Sequence, residues 1–235
     1  MQIHGGGLTI GDKTNDTAYC DYMEEAGFTI VNVNYTLIPN GKVIDVVQDL
    51  TATLHWVTDH ADEYNLDVEN VILNGESAGG YCVGLLAAVF SSDELQDYYG
   101  VTIPDMTIKA YGMICPMTEL DSLADQTEVK NDDGVSVADI VNDTKVLQMG
   151  RLTDIIDPAT YPEVYLLTTK GDTVWYPGVA NLHEYMTGVG IEHQYVVCES
   201  DKKVLIHVFN VTLLNWEESK KANQDMITYF KSKLN

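Results

Sequence analysis

The fold of this chain is predicted by one stretch, Val71-Ile72-Leu73-Asn74-Gly75-Glu76-Ser77-Ala78-Gly79-Gly80. Its three leading apolar residues indicate the end of a buried strand, and the apolar segment after Ser77 indicates a buried helix. A Gly-x-Ser-x-Gly pattern between a strand and a helix predicts a tight turn with a strained serine at its tip. Gly75 and Gly79 are expected there because a Cβ at either position would collide across the turn.

Strand-like and helix-like segments alternate along the chain on both sides of this turn. A stub at the amino terminus and five further strands are predicted, at about residues 28–35, 70–74, 107–115, 164–169 and 191–198. Helices are predicted at about residues 17–26, 43–64, 78–90, 178–187 and 216–230. This alternation predicts a three-layer α/β fold, with a mostly parallel central sheet and helices on both of its faces.

The length and the local composition predict the domain organisation. A chain of 235 residues fits one domain, so we expect a single unit spanning residues 1–235. The segment 117–150 is polar, acidic and weakly periodic, which predicts an insertion of one or two helices rather than a linker or a second domain.

Charge and composition exclude several classes of function. The chain has 13 basic and 36 acidic residues, a net charge of −23, which opposes binding to nucleic acid or to an anionic membrane. It contains no run of about 18 apolar residues and, as it stands, no signal peptide, so a cytoplasmic setting is expected. The cysteines lack metal-site spacing and predict small buried side chains rather than a metal centre; they are Cys20, Cys82, Cys115 and Cys198.

A nucleophilic Ser77 needs a general base, and the sequence offers six histidines. His207 lies between the last predicted strand and the last predicted helix, at the carboxyl edge of the sheet where ligands bind in open α/β folds. We therefore predict His207 as the base. The alternatives are His193, which opens a strand, and the absence of any base.

The base needs a carboxylate that orients it. Asp172 follows the predicted strand 164–169 through Gly171, so it belongs to the same edge of the sheet as His207. The chain order Ser, Asp, His is that of α/β-hydrolase triads, which favours Asp172. Asp201 and Asp157 are the alternatives.

The negative charge that develops on an attacked carbonyl oxygen needs hydrogen-bond donors. The backbone amide of Ala78, directly after the predicted nucleophile, is one such donor. The run Gly5-Gly6-Gly7, which follows His4, is typical of a loop whose amides crowd a ligand. We expect this loop to supply the other donors.

Three segments together resemble the hormone-sensitive-lipase-like branch of the α/β-hydrolases, namely His4-Gly5-Gly6-Gly7, Val33-Asn34-Tyr35-Thr36-Leu37-Ile38-Pro39 and Gly75-Glu76-Ser77-Ala78-Gly79-Gly80. The resemblance implies a carboxylesterase or related acyl hydrolase that needs no cofactor. Carried over by position, it implies Ser77 as nucleophile, Asp172 as acid and His207 as base. It also implies oxyanion donors at Gly5, Gly6 and Ala78, with Glu76 as a structural neighbour of the turn.

The sequence departs from that family in its first part. Thr36 stands where the family has an arginine, and the family's helical cap material before the His-Gly-Gly-Gly motif has no counterpart. The family's sheet has eight strands, so we expect the first two to be missing here, and an incomplete amino terminus leaves room for a lost signal peptide. The exposed sheet edge that this leaves favours association, for example into a homo-oligomer, or aggregation.

Two segments are candidates for the wall of a substrate pocket. The segment 117–150 occupies the place of the α/β-hydrolase lid, and its apolar side chains predict either an acyl pocket or ordinary packing onto the sheet; they are Met117, Leu120, Leu123, Val146, Leu147 and Met149. Trp175 and Tyr176, just after Asp172, predict aromatic pocket walls or, equally, core packing.

Taken together, the sequence predicts a serine hydrolase that cleaves small carboxylic esters through an acyl-enzyme. One alternative is an amide hydrolase of the kynurenine-formamidase type, which uses the same motifs. The other is a catalytically silent binding protein, which the missing strands would favour.

Overall fold

A computed structural model describes residues 1–234, with all side chains except those of Thr144 and Leu147. The strands are β1 (Gln2–Ile3), β2 (Asn32–Val33), β3 (Val71–Glu76), β4 (Ile108–Ile114), β5 (Val164–Thr169) and β6 (His193–Cys198). The helices are α1 (Thr17–Glu25), α2 (Val43–Asp59), α3 (Ala61–Tyr64), α4 (Ala78–Phe90), α5 (Asp93–Tyr99), α6 (Val137–Val141), α7 (Thr144–Gln148), α8 (Leu152–Ile155), α9 (Tyr176–Val189), α10 (Phe209–Thr212) and α11 (Glu217–Lys233). Short 3-10 helices lie at Lys13–Asp16 and Asp121–Leu123. The prediction for Leu147 falls on a side chain outside this description.

Within the described residues the strands form one six-stranded sheet in the order β2-β1-β3-β4-β5-β6. Every neighbouring pair in it is parallel, which confirms the predicted parallel α/β architecture. The carboxyl ends of all six strands therefore lie at one edge of the sheet. The turn at Ser77 and the loop before Asp172 both begin at that edge, because they follow β3 and β5.

The sheet separates two hydrophobic clusters, as a strand with side chains of period two requires. On β4, Tyr111 and Met113 pack with α2, α4 and α9 on one face. Ala110 and Ile114, which alternate with them, pack with α1 and α11 on the other face. Helices therefore cover both faces, as the alternation of elements predicts.

The predicted strand at residues 28–35 is much shorter than expected, because only Asn32–Val33 pair. Their partner strand is Gln2–Ile3, which offers two residues for pairing. A strand can extend only as far as its neighbour continues, so the apolar and aromatic residues of this segment pack without a ladder. The periodic segment 43–64 is likewise divided, at His60, into α2 and α3.

The segment 117–150 forms a 3-10 turn and the short helices α6 and α7, and its being an insertion stays a prediction. Ser136 caps α6, since its hydroxyl accepts a hydrogen bond from the Asp139 amide and the Asp139 carboxylate accepts one from the Ser136 amide. Much of the apolar surface of the segment 117–150 is buried against the main core, at Met117, Leu120, Leu123, Val137 and Val141. Across the described chain, no helix has the length and apolarity needed to cross a bilayer.

Candidate active site

The turn after β3 holds Ser77 in a backbone conformation that L-residues rarely adopt, with φ 54° and ψ −118°. At Gly75, a Cβ would lie 2.5 Å from the carbonyl group of Gly79, across the turn as predicted. At Gly79, a Cβ would instead clash with the carbonyl oxygen of Ile3 in the neighbouring strand β1. The requirement for glycine at position 79 is therefore set by packing between elements rather than by the turn itself.

Hydrogen bonds to the neighbouring strand and helix hold the backbone of Ser77 in place. Its amide donates to the carbonyl of Ile114 at the end of β4, over 2.9 Å. Its carbonyl accepts from the amides of Tyr81, over 3.1 Å, and Met117, over 3.0 Å. The strained conformation is thus held from three directions, and the helix α4 begins directly after it, with its amides and positive dipole end at the serine.

Asp172 and His207 meet at the same edge of the sheet. The Nδ1 group of His207 donates to Oδ2 of Asp172 over 2.5 Å. Asp172 is buried, and its second carboxylate oxygen accepts from the backbone amide of Trp175 over 3.1 Å. With Nδ1 protonated in this way, the Nε2 atom of His207 carries the lone pair, as a general base requires.

The loop before His207 is positioned by the loop that carries Asp172. The hydroxyl of Thr169, at the end of β5, donates to the carbonyl of Leu205 over 3.3 Å. A Cβ at Gly171 would collide with that same carbonyl group and would lie 2.8 Å from Cγ1 of Val204. Gly171 thus permits close contact between the loops that carry Asp172 and His207.

Cys115 lies next to Asp172 and His207, a position that no sequence pattern indicated. It follows β4 with φ 42° and is fully buried. Its sulfur, a carboxylate oxygen of Asp172 and a ring nitrogen of His207 all lie within 4.8 Å of one another. Burial raises the pKa of the Cys115 thiol, and the Asp172 and His207 atoms already bond to each other, so the chemistry of this trio favours an acid–base pair over a metal site.

The glycine loop is folded tightly against the core. His4 is buried and stacks on Tyr35 with ring centroids 4.5 Å apart. The Tyr35 hydroxyl donates to the His4 carbonyl over 3.0 Å. The next residues carry the chain through three positive φ angles, at Gly6 (108°), Gly7 (60°) and Leu8 (62°). Two glycines at these positions lower the cost of that path.

One predicted oxyanion donor, the amide of Gly5, already has a hydrogen-bond acceptor in the structure. The amide of Gly5 donates to Oε1 of Glu76 over 2.5 Å, which argues against the oxyanion role expected for Gly5. By contrast, the amides of Gly6, Gly7 and Ala78 have no acceptor among the residues that the structure describes. The sequence motif does not say which of the three glycine amides Glu76 occupies, so only the structure shows that the Gly5 amide is taken.

Glu76 is itself electrostatically unusual. Burial, followed by the nearby Asp16 carboxylate, raises the pKa of Glu76 to about 7. The hydrogen bond from Gly5 and the proximity of His207 act in the opposite direction and are weaker. The residue beside the strained serine therefore titrates near neutral pH and links the turn to the glycine loop.

The alternative candidates for the base and for its carboxylate partner make other contacts in the structure. His193 bonds through Nε2 to Nδ1 of His183 over 2.8 Å, and through Nδ1 to the Ile191 carbonyl. Asp157 accepts from the amide of Ala159 in a local turn. Asp201 is exposed. None of these contacts joins an alternative residue to the loops that carry Asp172 and His207.

Trp175 and Tyr176 begin α9 directly after the loop of Asp172. Besides the Trp175 amide already described, the Tyr176 amide donates to the Asp172 carbonyl over 3.0 Å. The Trp175 side chain is partly buried against the main core cluster. Their backbone amides thus position Asp172, while a role of the rings in a pocket wall stays a prediction.

Comparison with known proteins gives three kinds of similarity. The family model BD-FAE matches residues 1–166 of this chain. An acetyl esterase of Salmonella paratyphi B is 30% identical over 93 residues, which are 39% of this chain and 28% of that relative. The match therefore spans less than a third of the relative's length.

Solved structures show the same fold over nearly the whole chain. Esterase B from Lactobacillus rhamnosis (HN001) superimposes with a TM-score of 0.84 at 24% identity, covering 98% of this chain and 74% of that one. The carboxylesterase Cest-2923 from Lactobacillus plantarum WCFS1 superimposes with a TM-score of 0.79 at 20% identity, covering 100% of this chain and 86% of that one. At these identities the likeness concerns the fold.

Proposed function

The chain belongs to the BD-FAE family and has the α/β-hydrolase fold, and from this we propose that it is a serine hydrolase that cleaves small carboxylic esters. One observation carries the proposal: the hydrogen bond between Asp172 and His207 lies at the same sheet edge as the strained Ser77. The esterase names of its relatives support the same class of reaction. The unit we propose spans residues 1–235, with 117–150 as its lid.

In the proposed mechanism, Nε2 of His207 takes the proton from the Ser77 hydroxyl while the serine oxygen attacks the ester carbonyl carbon. Asp172 holds the imidazole through Nδ1 and stabilises its positive charge. When the tetrahedral intermediate collapses, His207 gives the proton to the departing alcohol oxygen. Water, activated by the same imidazole, then attacks the acyl-enzyme and releases the carboxylic acid.

We propose that the oxyanion binds to the amides of Gly6, Gly7 and Ala78. This set follows the prediction for Gly6 and Ala78 and replaces Gly5 by Gly7, since Glu76 occupies the Gly5 amide. Each donor of this kind typically contributes about 10²–10³ in rate. The role of Gly5 is then to fix the loop, so that the two following amides face the serine.

Labelling with a fluorophosphonate tests the nucleophile and the oxyanion donors together. We expect the wild type to form a covalent adduct at Ser77 and to hydrolyse p-nitrophenyl acetate. Ser77→Ala should lose at least about 10⁴-fold in kcat and all labelling, with an unchanged melting temperature. Residual activity above roughly 1% in Ser77→Ala would refute the assignment of the nucleophile.

The same experiment separates the alternative functions. Faster turnover of formylkynurenine than of nitrophenyl acetate would identify an amide hydrolase. A folded wild type that neither labels nor hydrolyses either compound would identify a silent binding protein.

A further inference from the structure

Three apolar side chains project into solvent from the loops that carry Asp172 and His207. Val174 is 71% exposed, Val204 is 69% exposed and Ile206 is 49% exposed. The two valines are the most exposed of the large hydrophobic residues described. Val174 lies two positions after Asp172, and the other two lie just before His207. We call these three residues the apolar rim.

The two loops that carry the apolar rim are in direct contact. The Thr169–Leu205 hydrogen bond joins the two loops at their base. Above it, Cγ1 of Val204 would lie only 2.8 Å from a Cβ placed on Gly171, so the side chain of Val204 leans over the loop that carries Asp172. Leaving about two thirds of a valine side chain in water is unfavourable. The grouping of such exposed apolar surface beside Asp172 and His207 indicates a binding surface.

The charges near the apolar rim limit which charge a ligand bound there can carry. Lys170 pairs with Glu199 over 2.6 Å, and Lys203 pairs with Glu218 over 3.2 Å. Those two cations are thus neutralised locally, Lys202 directly follows the acidic Asp201, and the chain as a whole carries a net charge of −23. An anionic group would be repelled, so the rim suits an uncharged apolar group.

The position of the rim indicates which part of an ester it would contact. In the proposed mechanism His207 delivers a proton to the leaving oxygen, so the alcohol part of the ester must lie on the side of His207. The acyl part lies toward the serine and the oxyanion loop. The three rim residues flank the acid and the base rather than the oxyanion loop.

We propose that Val174, Val204 and Ile206 bind the alcohol part of the substrate, and that the preferred substrates are uncharged esters of apolar alcohols. This inference rests on the proposed esterase function and specifies its substrate class. Each methylene group moved from water onto an apolar surface adds up to about fourfold to kcat/KM. Partial contact with an open rim should therefore add about twofold per methylene.

Two ester series test the proposal by release of acid in a pH-stat. One series keeps the acetyl group and lengthens the alcohol from methyl to hexyl, and the other keeps methanol and lengthens the acyl group from acetyl to hexanoyl. The variant carries Val174→Ser, Val204→Ser and Ile206→Ser together. The control is Ile103→Ser, which removes a side chain 46% exposed in the loop before β4, at the opposite edge of the sheet.

We expect wild-type kcat/KM to rise with alcohol length, and the triple variant to lose roughly tenfold on hexyl acetate but less than twofold on methyl acetate. Its acyl series should run parallel to that of the wild type, and Ile103→Ser should match the wild type in both series. A wild type indifferent to alcohol length, or a triple variant that flattens the acyl series equally, would overturn the proposal. Failure to hydrolyse methyl acetate or nitrophenyl acetate at all would instead reject the esterase function itself.

Discussion

The turn at residues 71–80 and the insertion proposed at residues 117–150 differ in the atoms that surround their glycines and in the contacts that their side chains make. In the turn, the positions of Gly75 and Gly79 are filled by backbone atoms of neighbouring elements. In the insertion, side chains add to the backbone hydrogen bonds: Asn131 donates to the Pro39 carbonyl over 3.0 Å, and Arg151 forms ion pairs with Glu119 and Asp121. Gly134 has open space around its missing side chain.

The difference shows where each region can tolerate change. Backbone atoms cannot rotate away from an added methyl group, whereas an exposed side chain can adopt another rotamer. The turn should therefore respond to the smallest substitution, while the insertion should absorb substitutions that break single hydrogen bonds. Three experiments, ordered from the largest expected effect, would sharpen this contrast or remove it.

Gly79→Ala should have the largest effect. The added Cβ meets the Ile3 carbonyl of β1, so we expect a loss of at least about 3 kcal/mol in the free energy of unfolding, together with the loss of esterase activity. Urea titration followed by tryptophan fluorescence would measure it.

Gly134→Ala is the matched control in the insertion. Its φ of 80° costs an alanine about 1 kcal/mol, but no atom lies within 4 Å of the added carbon. Equal losses in the two variants would remove the contrast between the regions.

The second experiment uses pH to compare a carboxyl group from each region. The pKa of Glu76 is raised to about 7, so the folded protein holds a proton that the unfolded chain has released. The stability that this group contributes should therefore fall as pH rises from about 4.5 to 7, by about 3 kcal/mol, and then level off. Glu76→Gln keeps an acceptor for Gly5 and should abolish this part of the pH dependence.

In the insertion, the stability that Asp139 contributes changes with pH in the opposite direction. The amide and hydroxyl groups of Ser136 lower the pKa of Asp139, so its contribution is present above the pKa of the unfolded chain and is lost as pH falls through the folded value. Thermal melts of Glu76→Gln and Asp139→Asn between pH 3 and 8 would check both signs. The same slope in wild type and Glu76→Gln would show that Glu76 does not titrate near neutrality.

Ser136→Ala should have the smallest effect of the three. Removing the cap of α6 costs about 1 kcal/mol of unfolding free energy. We expect kcat and KM for methyl acetate to stay within a factor of about two, because the cap does not contact the proposed catalytic groups. A larger change in kcat would mean that the insertion controls the geometry of the site.

The sequence predicted the parts of the fold whose causes are local. The strands at 164–169 and 191–198 and the helix after Ser77 follow from periodicity and composition, and the structure has them within two residues. The strand at 28–35 was predicted too long because its length depends on a partner, β1, that is two residues long. The helix α5 was missed, since it is short and buries little beyond Leu95 and Tyr99.

For the candidate site, the sequence predicted the residue types and their order, and their catalytic roles stay predictions. The strained conformation of Ser77 follows from the tight turn and its glycines, and the edge of the sheet follows from the parallel order of strands. The pairing of His207 with Asp172 rather than with an alternative was an inference from topology, and the hydrogen bond between them agrees with it.

Thus the sequence by itself determined the tight turn that carries Ser77, the parallel architecture and the edge of the sheet at which Ser77, Asp172 and His207 were predicted. These features depend on neighbours within a few residues, where steric exclusion and periodicity act. Only the tertiary structure decided that Glu76 occupies the Gly5 amide, 71 positions away, and that Cys115 lies under Asp172 and His207. Contacts of that kind depend on how separate elements pack to within an ångström, and no local pattern records that distance.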